Sequence, residues 1–126
     1  MKVILVIDDE PQMRRMLRMM LEREGFAVLE AENGEVGLRL IQESHIDLVI
    51  TDLIMPEKEG LETIMEMRSA FPRLNIIAIS GGGRAEPDGY LKMAESLGAA
   101  RVFSKPLDRS ELLDAVHDII GRAATA

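Results

Sequence analysis

Five side chains able to hold a cation and handle a phosphoryl group stand just beyond four apolar runs. Asp8 and Asp9 follow Val3–Ile7, Asp52 follows Leu48–Thr51, Ser80 follows Ile76–Ile79, and Lys105 with Pro106 follows Arg101–Ser104. If the runs are parallel strands, their carboxyl ends share one edge of one sheet, where ligands bind in open α/β folds. Three carboxylates, a hydroxyl and an ammonium then meet in one pocket. Clustered carboxylates raise each other's pKa unless a cation relieves them. A hard divalent ion such as Mg2+ takes oxygen donors, and it would keep Asp52 ionised, as a nucleophile must be. Ser80 can donate to one phosphoryl oxygen and Lys105 can neutralise another. The set reads as a phosphoryl-accepting pocket.

Each residue alone has a plainer reading. An acidic pair after a strand is ordinarily a turn, a strand-end serine is ordinary polar surface, and a lone lysine is a solvated charge. The combination carries the weight. Gly81-Gly82-Gly83 lacks the GxxxxGK[ST] frame of a phosphate-cradling loop and reads as a flexible connection. His45 and His117 lie on surface-like stretches, have no metal-ligating partner at useful spacing, and read as structural.

The elements that must position these residues alternate. Strands are expected over 3–7, 27–30, 48–51, 75–79 and 100–103, and helices over 11–24, 34–43, 58–70, 86–97 and 108–120. Met13, Met16, Leu17, Met20 and Leu21 recur at helical spacing and read as core, with Met19 off that stripe and available to a contact surface. Gly25 stops this helix. Asp108-Arg-Ser-Glu111 reads as a capping box, ahead of a buried face of Leu112, Ala115, Val116 and Ile119. Nearly uninterrupted apolar strands imply a parallel sheet covered on both faces, an α/β fold.

A chain of 126 residues with 47% hydrophobic content suits one domain, expected over 1–121 with a short tail at 122–126. No apolar run approaches membrane-spanning length and no leader pattern precedes the first strand. The absence of cysteine excludes thiolate chemistry and disulfides. A cytoplasmic setting is expected. A net charge of −7 and 3% aromatic content argue against direct nucleic-acid binding.

Asp8-Asp9, Asp52 with Met55-Pro56 and Gly60, Ser80, Gly98-Ala99 and Lys105-Pro106 together resemble the receiver domain of bacterial two-component response regulators, over essentially the whole chain. The resemblance implies a flavodoxin-like (βα)5 fold, a three-layer α/β/α arrangement around a five-stranded sheet of order 2-1-3-4-5. It implies that Asp52 takes a phosphoryl group from a sensor histidine kinase or histidine phosphotransfer protein, with Ser80 and Lys105 assisting and partner binding switched as a result. Mg2+ would be held by Asp9, Asp52 and the backbone carbonyl of Ile54, with Asp8 contributing through water. Lys105–Pro106, commonly cis in the family, would fix the lysine. The domain would promote its own phosphorylation and dephosphorylation without being an enzyme on external substrates. The donor would dock on the first helix and nearby loops, where Met13, Arg14 and Arg18 are candidates. The output face would involve segments 86–97, 100–103 and 108–120, with Tyr90 and Leu91 as candidates. The sequence names no downstream target.

The sequence departs from the family pattern in three respects. Val102 stands where an aromatic residue is usual, and Phe103 should face the opposite side of its strand. Gly81 replaces a small alanine, and Ile54 and Gly82 give opposing steric cues for phosphoryl lifetime. A stand-alone receiver is the leading expectation. A receiver followed by an output module is the second. A haloacid-dehalogenase-like phosphohydrolase is disfavoured, since Ile54 occupies the place of its second aspartate. A degenerate, purely binding receiver is disfavoured because the acid pair, acceptor, hydroxyl and lysine are all present.

Overall fold

The computed structural model describes residues 1–53, 60–80 and 90–121. Within them the elements are β1 (Val3–Ile7), α1 (Pro11–Arg23), β2 (Ala27–Ala31), α2 (Gly34–Glu43), β3 (Leu48–Asp52), α3 (Gly60–Ala70), β4 (Asn75–Ser80), α4 (Tyr90–Ser96), β5 (Arg101–Ser104) and α5 (Arg109–Ile120). The strands form one sheet of order β2-β1-β3-β4-β5, with every pairing parallel. The expected doubly wound α/β sheet is therefore present. Met55-Pro56, the Ile54 carbonyl, Gly81-Gly82-Gly83 and the tail at 122–126 fall outside the described residues, as do the side chains of Tyr90 and Leu91.

Strand side chains alternate between faces, and two cores follow. Leu5, Ile7, Val49, Ile76 and Ala78 pack with Ile41, Ile64, Met67 and Ala94 of α2, α3 and α4. Ile4, Val6, Leu48, Ile50, Ile77 and Ile79 pack with Leu17, Leu21, Leu112 and Val116 of α1 and α5. Each fully buried aliphatic side chain contributes roughly 1.5–3 kcal/mol. Both faces of β3 being covered explains why its five residues are all buried.

Local signals set the boundaries. Pro11 opens α1, where its missing N–H costs nothing, and Gly25 leaves it at φ +93°. Asn33 and Asp108 cap α2 and α5, accepting from Val36 N at 2.9 Å and Glu111 N at 3.0 Å. Gly34 lets α2 approach α3, for an added Cβ would run into the Thr63 hydroxyl.

Two expectations are corrected, the first being Ile119, which is only partly buried at the edge of its core. Met16 is 45% exposed, whereas Leu17, Met20 and Leu21 are buried. At about 100° per residue Met16 lies a quarter-turn from Leu17, at the rim of the stripe rather than within it. Val102 and Phe103 divide as expected, Val102 packing on the α2–α4 side and Phe103 on the α1–α5 side.

Candidate functional site

Strand register brings the chemistry together. Ile7 pairs with Thr51, Asp52 with Ile79, and Ser80 with Ser104. The last residues of β3 and β4 are Asp52 and Ser80 themselves, one residue beyond the expected strand ends. Asp8 directly follows β1, its amide donating to Ala31 O at 3.1 Å, and Lys105 directly follows β5, its amide donating to Ser80 O at 3.0 Å. The sheet's hydrogen bonding thus extends into the candidate site residues Asp8 and Lys105, so they leave its edge on a rigid base.

Asp8, Asp52 and Ser80 are buried, at 1%, 5% and 1% exposure, while Asp9 is exposed. Carboxylate oxygens of Asp8, Asp9 and Asp52 all lie within 4.8 Å of one another, the only such ligand group of three or more among the described residues. Lys105 Nζ stands 3.3 Å from Asp52 Oδ2, 3.7 Å from Asp8 Oδ2 and 3.8 Å from Glu10 Oε1. The Lys105–Pro106 bond is cis.

Burial pushes the Asp8 carboxyl up to about 6, with Asp52 and Asp9 adding repulsion against relief from the Glu10 amide and Lys105. Burial would lower the Lys105 ammonium, but Asp52 and Asp8 outweigh it and hold its pKa above the ordinary lysine value. Among the described residues, the Lys105 ammonium lies near three acids at once. The three carboxylates, their oxygen-only donors and their spacing fit a hard divalent ion such as Mg2+.

The other sequence candidates lie elsewhere. His45 is exposed and contacts Asp47 at 2.8 Å, and His117 lies beside Phe26 and Glu24. A cavity of about 610 Å3, lined in part by Ile41, Ile46, Phe71 and Leu74, sits at the amino end of β3 and β4 and contains none of the three acids. Arg14 and Arg18 both bind Glu30 rather than standing free for a partner. Sequence reasoning also missed Glu10, whose amide donates to Asp8 Oδ1 at 2.9 Å. Its place one residue past the acid pair was the available signal.

A doubly wound α/β sheet with acids and a lysine at its carboxyl edge defines a flavodoxin-like module with a phosphoacceptor type of pocket. The chain belongs to the response regulator receiver domain family, whose profile matches residues 4–117. It is 33% identical over 119 residues to chemotaxis protein CheY of Halobacterium salinarum, covering 94% of this chain and 97% of that protein. It is 32% identical over 123 residues to transcriptional regulatory protein GlrR of Escherichia coli K12, covering 98% of this chain but 27% of that protein. The chain thus spans about a quarter of that regulator and, at 51%, about half of the E. coli regulator CpxR. Among solved structures it superposes on a Clostridium thermocellum response regulator receiver domain protein with TM-score 0.87 at 32% identity, covering 95% and 94% of the two chains. It also matches Thermotoga maritima TrrA, solved in complex with Mg2+-BeF, with TM-score 0.83 at 34% identity, covering 94% and 99%. No helix among the described residues is long and apolar enough to cross a membrane.

Proposed function

We propose that Asp52 is the phosphoacceptor of this receiver domain, that Ser80 and Lys105 steady the transferred group, and that Asp8, Asp9 and Asp52 hold Mg2+, with the Ile54 carbonyl completing the set. The observation that carries this reading is Lys105 Nζ lying 3.3 Å from Asp52 Oδ2 across the sheet edge. A carboxylate oxygen of Asp52 attacks the phosphorus of a phosphohistidine, the P–N bond breaks, and the imidazole leaves with that electron pair and takes up a proton. Bound Mg2+ would supply charge neutralisation for phosphoryl oxygens and for the acids. Lys105 supplies a fixed positive charge on the other side, and the apolar strands beneath limit water and strengthen that charge.

The donor in this reading is a sensor histidine kinase or histidine phosphotransfer protein. It docks on α1 and the loop after β5, supported by a groove lined by Met16, Met19, Met20, Arg23, Leu107 and Arg109. With Arg14 and Arg18 engaged by Glu30, the exposed methionines are the better contact residues. Residues 1–121 form the receiver unit, placed in the cytoplasm, acting through a protein target rather than nucleic acid and turning over no external substrate. The test is incubation with acetyl phosphate and Mg2+ followed by intact mass. A Mg2+-dependent gain of one phosphoryl group, absent in Asp52→Asn, is expected; no gain in the unaltered chain would overturn the assignment.

A further inference from the structure

Asp8 and Asp9 are joined by one peptide, and its carbonyl is held from outside the pocket. Arg14 donates from Nη1 to Asp8 O at 2.7 Å and from Nε to Glu30 Oε1 at 3.2 Å. Glu30, near the end of β2, also accepts at Oε2 from Arg18 Nη1 at 2.8 Å. The Arg14 side chain is only 17% exposed. Two arginines hold the Glu30 carboxyl below its ordinary range, Arg18 first and Arg14 next, against the cost of burial.

We propose that Arg14, braced by Glu30, is a positioning residue for the cation site, fixing the Asp8–Asp9 peptide plane and so the directions in which both carboxylates leave the backbone. The inference rests on the reading of Asp8, Asp9 and Asp52 as cation ligands. The Asp8 amide is tied to β2 through Ala31 O, and the Asp8 side chain is tied to the Glu10 amide. A peptide past the end of a strand can still rotate about its flanking bonds unless its carbonyl is also held. Arg14 holds it with a charged donor, which is stronger than a neutral one. A guanidinium can meet the carbonyl and the Glu30 carboxylate together in one plane, which an ammonium at the same place does poorly. Exposed Asp9, with fewer contacts of its own, depends most on that plane.

Partners one step behind a metal ligand typically change affinity by roughly 10- to 100-fold when removed. The experiment is calorimetric titration with MgCl2 of the unaltered chain, Arg14→Met, Arg14→Lys, Glu30→Gln and Arg18→Met, beside melting curves of the metal-free proteins. Arg14→Met is expected to raise the Mg2+ Kd about 10-fold or more, with Arg14→Lys between it and the unaltered chain. Arg18→Met, which leaves the bond to Asp8 O in place, should change the Kd less than about twofold. A merely structural Arg14 would lower the melting temperature and leave the Kd alone, and that result overturns the proposal. If Arg14→Met does not fold, Glu30→Gln decides, since it weakens only the brace, and an unchanged Kd there is again fatal. Mg2+ binding that is absent in the unaltered chain, or undiminished in Asp9→Asn, would instead sink the cation assignment and the proposal with it.

Discussion

Lys105 Nζ and Asp52 Oδ2 stand 3.3 Å apart although β4 separates their strands in the sheet. The lysine spans that gap because it leaves β5 one residue past its end and reaches back over Ser80. The same ammonium also lies 3.7 Å from Asp8. Among the described residues it is therefore a counter-charge shared by Asp52 and Asp8, as well as a candidate ligand for the transferred group.

Replacing it should expose both roles. Lys105→Met is expected to slow Mg2+-dependent phosphorylation by acetyl phosphate on the order of 100-fold, the usual cost of one preorganised charge partner. The rate of mass gain measures this, and a near-normal rate would remove Lys105 from the chemistry.

The raised Asp8 pKa predicts a pH dependence of opposite sign to the usual salt-bridged carboxylate. The folded protein keeps the Asp8 proton up to about pH 6, whereas the unfolded chain loses it near the ordinary aspartate value of 3.8. Between those values the native state binds more protons, so this group lowers stability as pH rises, and the full penalty remains above it. In chelator, Asp8→Asn should be more stable than the unaltered chain at about pH 7.5, with the difference fading toward about pH 4. Denaturant melts at the two pH values measure this, and an advantage that grew on acidification would refute the sign.

Gly34→Ala opposes two known effects. Alanine improves helix propensity by up to about 1 kcal/mol, but its Cβ would run into buried Thr63. Overpacking typically costs about 1–3 kcal/mol, so net destabilisation is expected in urea titration. Stabilisation would mean that α2 and α3 separate easily.

Arg68 donates to Pro72 O at 2.6 Å and to Gly98 O at 2.7 Å, tying the end of α3 to the turn before β5. Arg68→Ala should cost about 1–3 kcal/mol through the abandoned part-buried acceptor, measured by chemical denaturation. An unchanged midpoint would show that water replaces the guanidinium without loss.

Much of this protein was legible along the chain because its signals are periodic or terminal. Uninterrupted runs such as Ile76–Ile79 announced strands buried on both faces, and Asp108 and Gly25 marked helix ends through local hydrogen bonding and backbone freedom. Asp8, Asp9, Asp52, Ser80 and Lys105 were recognisable because each sits at the carboxyl end of a strand, a place defined by the strand alone. The helical repeat was less informative at its rim, where Met16 follows the spacing yet remains exposed.

Only the tertiary structure decided which distant groups meet. Arg14 looks from the sequence like a surface charge on an amphipathic helix, and its partners are a carbonyl at the end of β1 and a carboxylate on β2. Which acid Lys105 approaches, and which carbonyls Arg68 joins, likewise depend on strand order and register. Composition and local spacing constrain what a segment becomes, while a side chain's partner is set by the segments packed beside it. The pocket's chemistry was therefore written in residue types, and its charge balance only in their placement.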